Sequence, residues 1–169
     1  MNPIKPKSRH FLHTFFMSPG LSEIELAQKA QASDHAAQIA AIRRAQAVIE
    51  FSLDGTVLSA NDNFCKVMGY TEDEIRGKHH SMFAADGYAA TPAYKQFWDK
   101  LNRGEFDAGE YKRVGKGGRE VWIQASYNPI VGADGRPYKV VKYATDVTAA
   151  KMRNADFEGK LQAVERVQA

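Results

Sequence analysis

Cysteine is almost missing from this chain. Its single occurrence, Cys65, excludes an intramolecular disulfide and any cysteine-built metal site, and fits a reducing compartment. Cys65 stands among Phe64, Val67 and Met68, an apolar helical pattern, so it reads as packing rather than as a reactive thiol. Also missing is any apolar run approaching the roughly 18 residues of a membrane span. Residues 5–9 followed by 11–17 imitate a signal peptide, but the apolar part is short, is interrupted by His13 and Thr14, and lacks a small-residue cleavage site. The expectation is a cytoplasmic chain with no direct membrane span. Charge of one sign is scarce too: the net +3 is scattered among acidic residues, which removes the footprint of a nucleic-acid binder. No GxSxG, phosphate-binding loop or HExxH occurs, and the adjacent His79 and His80 have no evident carboxylate partner, so the chain is not expected to be an enzyme.

What is present is a soluble-domain composition, 44% hydrophobic and 25% charged over 169 residues, enough for one core plus extensions. Residues 109–146 organise it as three consecutive antiparallel strands. Residues 110–116 lead through Gly117-Gly118, which tolerate positive φ, into residues 119–128. There Val121, Ile123, Ala125 and Tyr127 alternate with Trp122, Gln124, Ser126 and Asn128, a strand with two different faces. The first set is predicted to face the core, and Trp122 the opposite side, where a flanking helix or second subunit must cover it. Pro129 removes a donor and is expected to end regular pairing. Asp134-Gly135 turns the chain into residues 138–145, with Val140, Val141 and Tyr143 as β-forming bulk.

Upstream, residues 1–20 are expected to be irregular, interrupted by Pro3, Pro6 and Pro19. His10 and His13 share helical spacing, but without further ligands nearby they read as part of an aromatic tail more readily than as a metal site. Ser22 and Glu25 form a capping box that opens a long Ala-, Gln- and Glu-rich helix over residues 21–45. Its sparse apolar residues imply pairing with a second copy or packing on the sheet. Residues 46–53 and 56–60 are the first two strands, joined by Asp54-Gly55. Asn61 to Asn63 offer caps for a short helix through Met68, and Thr71 with Glu74 caps another. Thr91-Pro92 starts a longer helix whose Tyr94, Phe97, Trp98 and Leu101 make one apolar face. After Asp146 a final helix begins, with Phe157, Leu161, Val164 and Gln168 at coiled-coil spacing. The expected partition is residues 1–20, a helical extension 21–45, a folded domain 46–148, and the start of a further helix 149–169. Strands flanking a block of helices make the fold class α+β.

Four ordered segments now carry a resemblance: FSLDGTVLSANDNFCKVMGYTEDEIRGK, FWDKLNRGEF, YKRVGKGGREVWIQASYNPI and DGRPYKVVKYATDVT. Together they resemble a PAS domain, in particular those of bacterial methyl-accepting chemotaxis and aerotaxis receptors, over residues 47–148. The resemblance implies a five-stranded antiparallel sheet in order 2-1-5-4-3, with helices forming one wall of a pocket. It also implies a sensor in a homodimer, joined through flanking helices to a downstream coiled-coil signalling module. Asp146 and Thr148 match the family's junction between sheet and signalling helix, where the carboxylate can cap the first backbone donors.

The ligand is a separate question. Haem needs an axial nitrogen on an apolar wall, and the resemblance takes it from the region of His79 and His80. His80 is the expected iron ligand, because Met82 and Phe83 then follow in one buried turn; His79 is the substitute. Tyr94, Phe97, Ile123, Ala125 and Tyr127 are expected to line the cavity, for oxygen or another gas. The alternative is FAD as a redox sensor for aerotaxis: Asn61 and Trp98 match flavin-type positions. Against it, Arg113 stands where flavin relatives place an asparagine, and Phe83-Ala84-Ala85-Asp86 replaces an Arg-His-Pro-Asp run. A third reading is a small-ligand or cofactor-free dimerising module.

Overall fold

Helix α1 (Pro19–Ala45) opens the part of the chain that the computed structural model describes, residues 19–157, with side chains from residue 22. Two compact units divide between Ile39 and Ala40. In the first, α1 is already under way at Pro19, a residue suited to a first turn because its missing N–H has no helical partner there. The Ser22–Glu25 pair therefore lies inside the helix rather than at its start. Ile24, Leu26 and Ile39 on α1 are exposed. His10 and His13 lie outside the described residues, as do Leu161, Val164 and Gln168.

In the second unit, β1 (Ala47–Phe51) is followed by β2 (Val57–Ala60), α2 (Asp62–Met68) and α3 (Glu72–Ile75). Two 3₁₀ turns, His80–Phe83 and Tyr88–Ala90, lead into α4 (Pro92–Asn102); β3 (Asp107–Val114), β4 (Glu120–Val131) and β5 (Pro137–Asp146) complete the sheet. Residues 148–157 form a last helix, α5. The strands are antiparallel in the order β2-β1-β5-β4-β3, as the sequence resemblance implies.

Local chemistry sets each boundary. β1 stops at Phe51 because Asp54 closes the turn, its Oδ1 accepting from Ser52 Oγ at 2.5 Å and from Thr56 N at 3.0 Å. Those bonds hold its carboxyl below the usual range. Asn61 caps α2 and ties it to the sheet: its Oδ1 accepts from Phe64 N at 3.0 Å and Val48 N at 2.8 Å, while Nδ2 donates to the Arg43 and Gln46 carbonyls, each at 2.8 Å. Thr71 N donates to Glu74 Oε2 at 2.9 Å, and Thr91 Oγ1 accepts from Tyr94 N at 3.2 Å, so both caps form where expected. Gly117 and Gly118, at φ +72 and +80, make the β3–β4 turn. Pro129 does not end β4, which continues to Val131 against β5. The last β3 partner is Asp107 opposite Tyr127, so Pro129 lies where β4 is an edge and a missing donor is tolerated.

The register is the expected one: Val121, Ile123, Ala125 and Tyr127 are buried, and Trp122 faces the other side. Phe51, Phe64, Phe83, Leu101, Ile123 and Tyr127 share one core between sheet and helices. Burying such side chains stabilises the fold by roughly 1.5–3 kcal/mol each before entropy is charged against it.

Gly55 tests how tightly this core meets the β1–β2 turn. It has φ +87, and a Cβ there would stand 2.7 Å from His79 Nε2 and 3.0 Å from the Trp98 ring; Gly135, at φ +77, has open space around it. Gly135→Ala is expected to cost about 1–2 kcal/mol for the backbone alone. Gly55→Ala is expected to cost about 1–3 kcal/mol more, for the overlap. Urea denaturation of the two variants checks this; equal losses would mean that His79 and Trp98 yield freely.

Candidate functional site

The two adjacent histidines are separated by the turn they share. Its backbone is stitched to the β1–β2 connection, His80 N donating to Gly55 O at 2.8 Å and Val57 N to Lys78 O at 2.8 Å. His79 stays on the outside: its Nε2 reaches Asp54 O at 2.8 Å, and its Nδ1 meets Ser81 N at 3.2 Å. A carbonyl can only accept and a backbone N–H only donate, so the His79 proton sits on Nε2. His80, the next residue, is turned fully into the core.

There both of its nitrogens are engaged. Nδ1 is 2.9 Å from Tyr94 Oη, and Nε2 is 3.1 Å from Tyr127 Oη. Tyr127 Oη also accepts from Arg113 Nη2 at 3.1 Å. Arginine only donates, so the phenol keeps its own proton for His80 Nε2, and the imidazole proton then lies on Nδ1, toward Tyr94. The chain Arg113, Tyr127, His80, Tyr94 thus crosses from β3 through β4 to α4. Aromatic rings enclose it: Phe51 at 5.3 Å from the His80 ring, Trp98 at 5.5 Å and Phe97 at 6.1 Å, with Phe97 also 4.9 Å from Tyr127.

Burial, and then the neighbouring Lys142 and Arg113 charges, push the His80 pKa well below its usual value, so the ring is neutral. Burial likewise lowers the Lys142 ammonium, with Arg113 adding to the effect, and raises the Tyr127 and Tyr94 phenols. Lys142 stands over the Tyr127 and Phe64 rings at 4.9 and 5.5 Å. It was absent from the sequence expectations. The signal was parity: Val140, Lys142 and Ala144 alternate along β5, and all three are buried.

The residues named from sequence therefore divide. His80, Phe83, Tyr94, Phe97, Trp98, Arg113, Ile123, Ala125 and Tyr127 lie together in or against this core, with Met82 half-buried at its border. His79 lies outside it, and Asn61 is occupied as a cap and tie. Two buried polar atoms lack partners, Trp98 Nε1 and Arg113 Nε. Among the described residues no group of three or more His, Cys, Asp or Glu is placed to hold a metal ion, and no helix is long and apolar enough to cross a membrane.

The other end of β4 meets α5. Val147 N donates to Trp122 O at 2.8 Å, Trp122 N to Thr148 Oγ1 at 2.9 Å, and Thr148 N to Asp146 Oδ1 at 2.9 Å. Lys151 lies over the Trp122 ring at 5.2 Å and pairs with Glu110. Trp122 thus gains its cover from α5.

A neutral His80 makes the fold acid-sensitive in a defined window. The unfolded imidazole takes a proton near pH 6.5 and the folded one does not, so the unfolded state binds more protons as pH falls below about 6.5. Stability is expected to be flat above that value on this account and to fall between about pH 6.5 and 5. Urea melts across this range, with NMR of the imidazole carbons, check it; a His80 signal titrating near 6.5 in the folded protein would contradict the buried neutral assignment.

The PAS fold model matches residues 57–144. The chain is 50% identical over 108 residues to the biofilm dispersion protein BdlA of Pseudomonas aeruginosa, covering 64% of this chain and 26% of that protein. It is 33% identical over 79 residues to the aerotaxis receptor of Escherichia coli, covering 47% and 15%. It therefore spans about a quarter or less of the length of these curated relatives. Among solved structures, a PAS domain from Colwellia psychrerythraea superposes with a TM-score of 0.55 at 22% identity, over 73% of this chain and 98% of that one. A light-oxygen-voltage domain studied with a flavin analogue gives 0.57 at 18% identity, over 72% and 96%. Those two likenesses carry the fold alone, whereas the family match spans more than half of the chain, and with it this chain belongs to the PAS fold family.

Proposed function

We propose that this chain is the sensory module of a chemotaxis-type receptor, in which the His80 core receives a signal and β4 passes it to α5. The supporting observation is that one strand carries both ends of the path. Tyr127 joins His80 and Arg113 at one end, and Trp122 is bonded to Val147 and Thr148 at the other. A change that moves Tyr127 pulls on the strand that anchors the start of α5. Residues 46–148 are the sensor in this reading, α1 and α5 the helices through which two copies pair, and a coiled-coil output module their downstream partner in the cytoplasm. BdlA and the aerotaxis receptor support the receptor setting by similarity.

Haem at His80 is the finer form of this reading. What favours it is the donor: a neutral imidazole on an aromatic wall. What opposes it is space and valence, since both ring nitrogens are hydrogen-bonded and Phe51, Phe97 and Trp98 fill the volume a porphyrin needs. This packing argues against haem and, on the same ground, against an isoalloxazine ring. The reading favoured here is the small-ligand module. Protein produced with ample haem and flavin is expected to show neither a Soret nor a flavin band. A Soret band that His80→Ala abolishes would put iron on His80 in place of Tyr127.

Transmission has its own test. Thr148→Val removes the hydroxyl that joins Trp122 to α5 and is expected to cost the isolated domain about 1 kcal/mol. In a receptor carrying this chain it is expected to leave the output locked in one state. A Thr148→Val receptor that responds normally would place the route elsewhere.

A further inference from the structure

The core holds two basic side chains and no acid to answer them. Lys142 is 1% exposed and Arg113 5%, and among the described residues no Asp or Glu is buried. Asp107, at the start of β3, is already engaged by Lys100 at 2.7 Å and Tyr111 Oη at 2.6 Å. Burying a cation is unfavourable unless it is paired and hydrogen-bonded. Arg113 gives Nη1 to the Lys112 carbonyl and Nη2 to Tyr127, while its Nε, inside the same core, has no acceptor. Lys142 faces two aromatic rings, which recover part of what burial costs and supply no counter-charge. Around His80, which Tyr127 joins to Arg113, stand the flat rings of Phe51, Phe97 and Trp98.

We propose that this is a binding site for a small carboxylate on a flat, apolar body, its acid group taken by Arg113 and Lys142 and its body by the place beside Phe97 that the Tyr127 ring now fills. In the packing described here the Tyr127 hydroxyl holds the position of the acid, as the neutral oxygen toward which Arg113 Nη2 points. An entering carboxylate is the stronger acceptor and displaces that hydroxyl. Tyr127 then leaves His80 Nε2 as well, so the event that fills the site moves the residue on which β4 depends. The inference rests on the sensory reading above and supplies its ligand class. A purely structural pair of cations explains neither the unpaired Nε nor the missing acid.

The test uses the whole 169-residue chain with benzoate, its uncharged isostere benzamide, and inorganic phosphate, followed by calorimetric titration and thermal melting. Benzoate is expected to bind one per chain and raise the melting temperature, with benzamide weaker by about tenfold or more. Lys142→Met, which removes a buried amine without an acidic partner at similar volume, is expected to melt no lower than the parent and to weaken benzoate about tenfold or more. Lys95→Met, on the exposed face of α4, is expected to change neither. The proposal falls if benzoate shows no saturable binding up to about 10 mM. It also falls if benzamide binds equally well, if phosphate binds better than benzoate, or if Lys142→Met lowers the melting temperature and leaves benzoate affinity unchanged. A failure of benzoate leaves the Thr148→Val outcome untouched, so the ligand class and the transmission route fail separately.

Discussion

The hydroxyl of Tyr127 joins the helical wall to the sheet inside the core by directed bonds rather than by contact alone. His80 reaches it at 3.1 Å from the 3₁₀ turn, and Arg113 at 3.1 Å from the neighbouring strand. Apolar packing is non-directional and tolerates small slides, but a buried polar group left without a partner costs about 1–3 kcal/mol. The three residues therefore fix one another's position: His80 cannot turn away without stranding the phenol, and Tyr127 cannot move without leaving both an imidazole and a guanidinium short of a partner. The aromatic shell around them raises that cost by excluding water. A core made only of Phe and Leu would be easier to build and would respond to nothing in particular.

Much of this frame was legible because it follows from local chemistry. The alternation in β4 assigned Val121, Ile123, Ala125 and Tyr127 to the core, since a strand's side-chain period leaves little choice once one face must be buried. Thr71 with Glu74 and Thr91 with Tyr94 formed as caps because their partners are three residues away in sequence. Where neighbours far along the chain decide, reading failed. Pro129 was expected to end β4, but β3 has already stopped there, and the strand runs on against β5. Ser22 and Glu25 have the residue types of a capping box, yet α1 begins before them at Pro19.

The site was legible unevenly for the same reason. Adjacent histidines cannot both face inward, and Phe83 beyond them pointed to His80 as the buried one. Spacing did not show that Tyr94 and Tyr127 would occupy both of its nitrogens, because those partners lie 14 and 47 residues away. Lys142 escaped notice because a lysine in a strand reads as solvated, although its parity with Val140 and Ala144 placed it inside. Asn61 shows how one position can carry two readings. Its position matches a flavin contact in relatives, while its four hydrogen bonds already join α1, β1 and α2.

A sensor requires more than a buried site; the ligand must favour one arrangement of the output over another. Here the geometry supplies a lever of known length. Tyr127 and Trp122 are five residues apart on β4 and face opposite sides of the sheet, so β4 is one link between the core and the α5 contact; β5, which carries Lys142 and runs into α5, is another. β4 is held on one edge by β3 from Glu120 to Tyr127 and on the other by β5 from Ile123 to Val131. In the proposed route, displacement at Tyr127 is passed along the axis of this strand. At the far end Trp122 N and O both bond to the start of α5, through Thr148 Oγ1 and Val147 N. Two bonds of opposite polarity from one residue fix a helix in angle as well as in position. A shift of the strand must then tilt α5 or break one of them, and either outcome distinguishes two states of the helix.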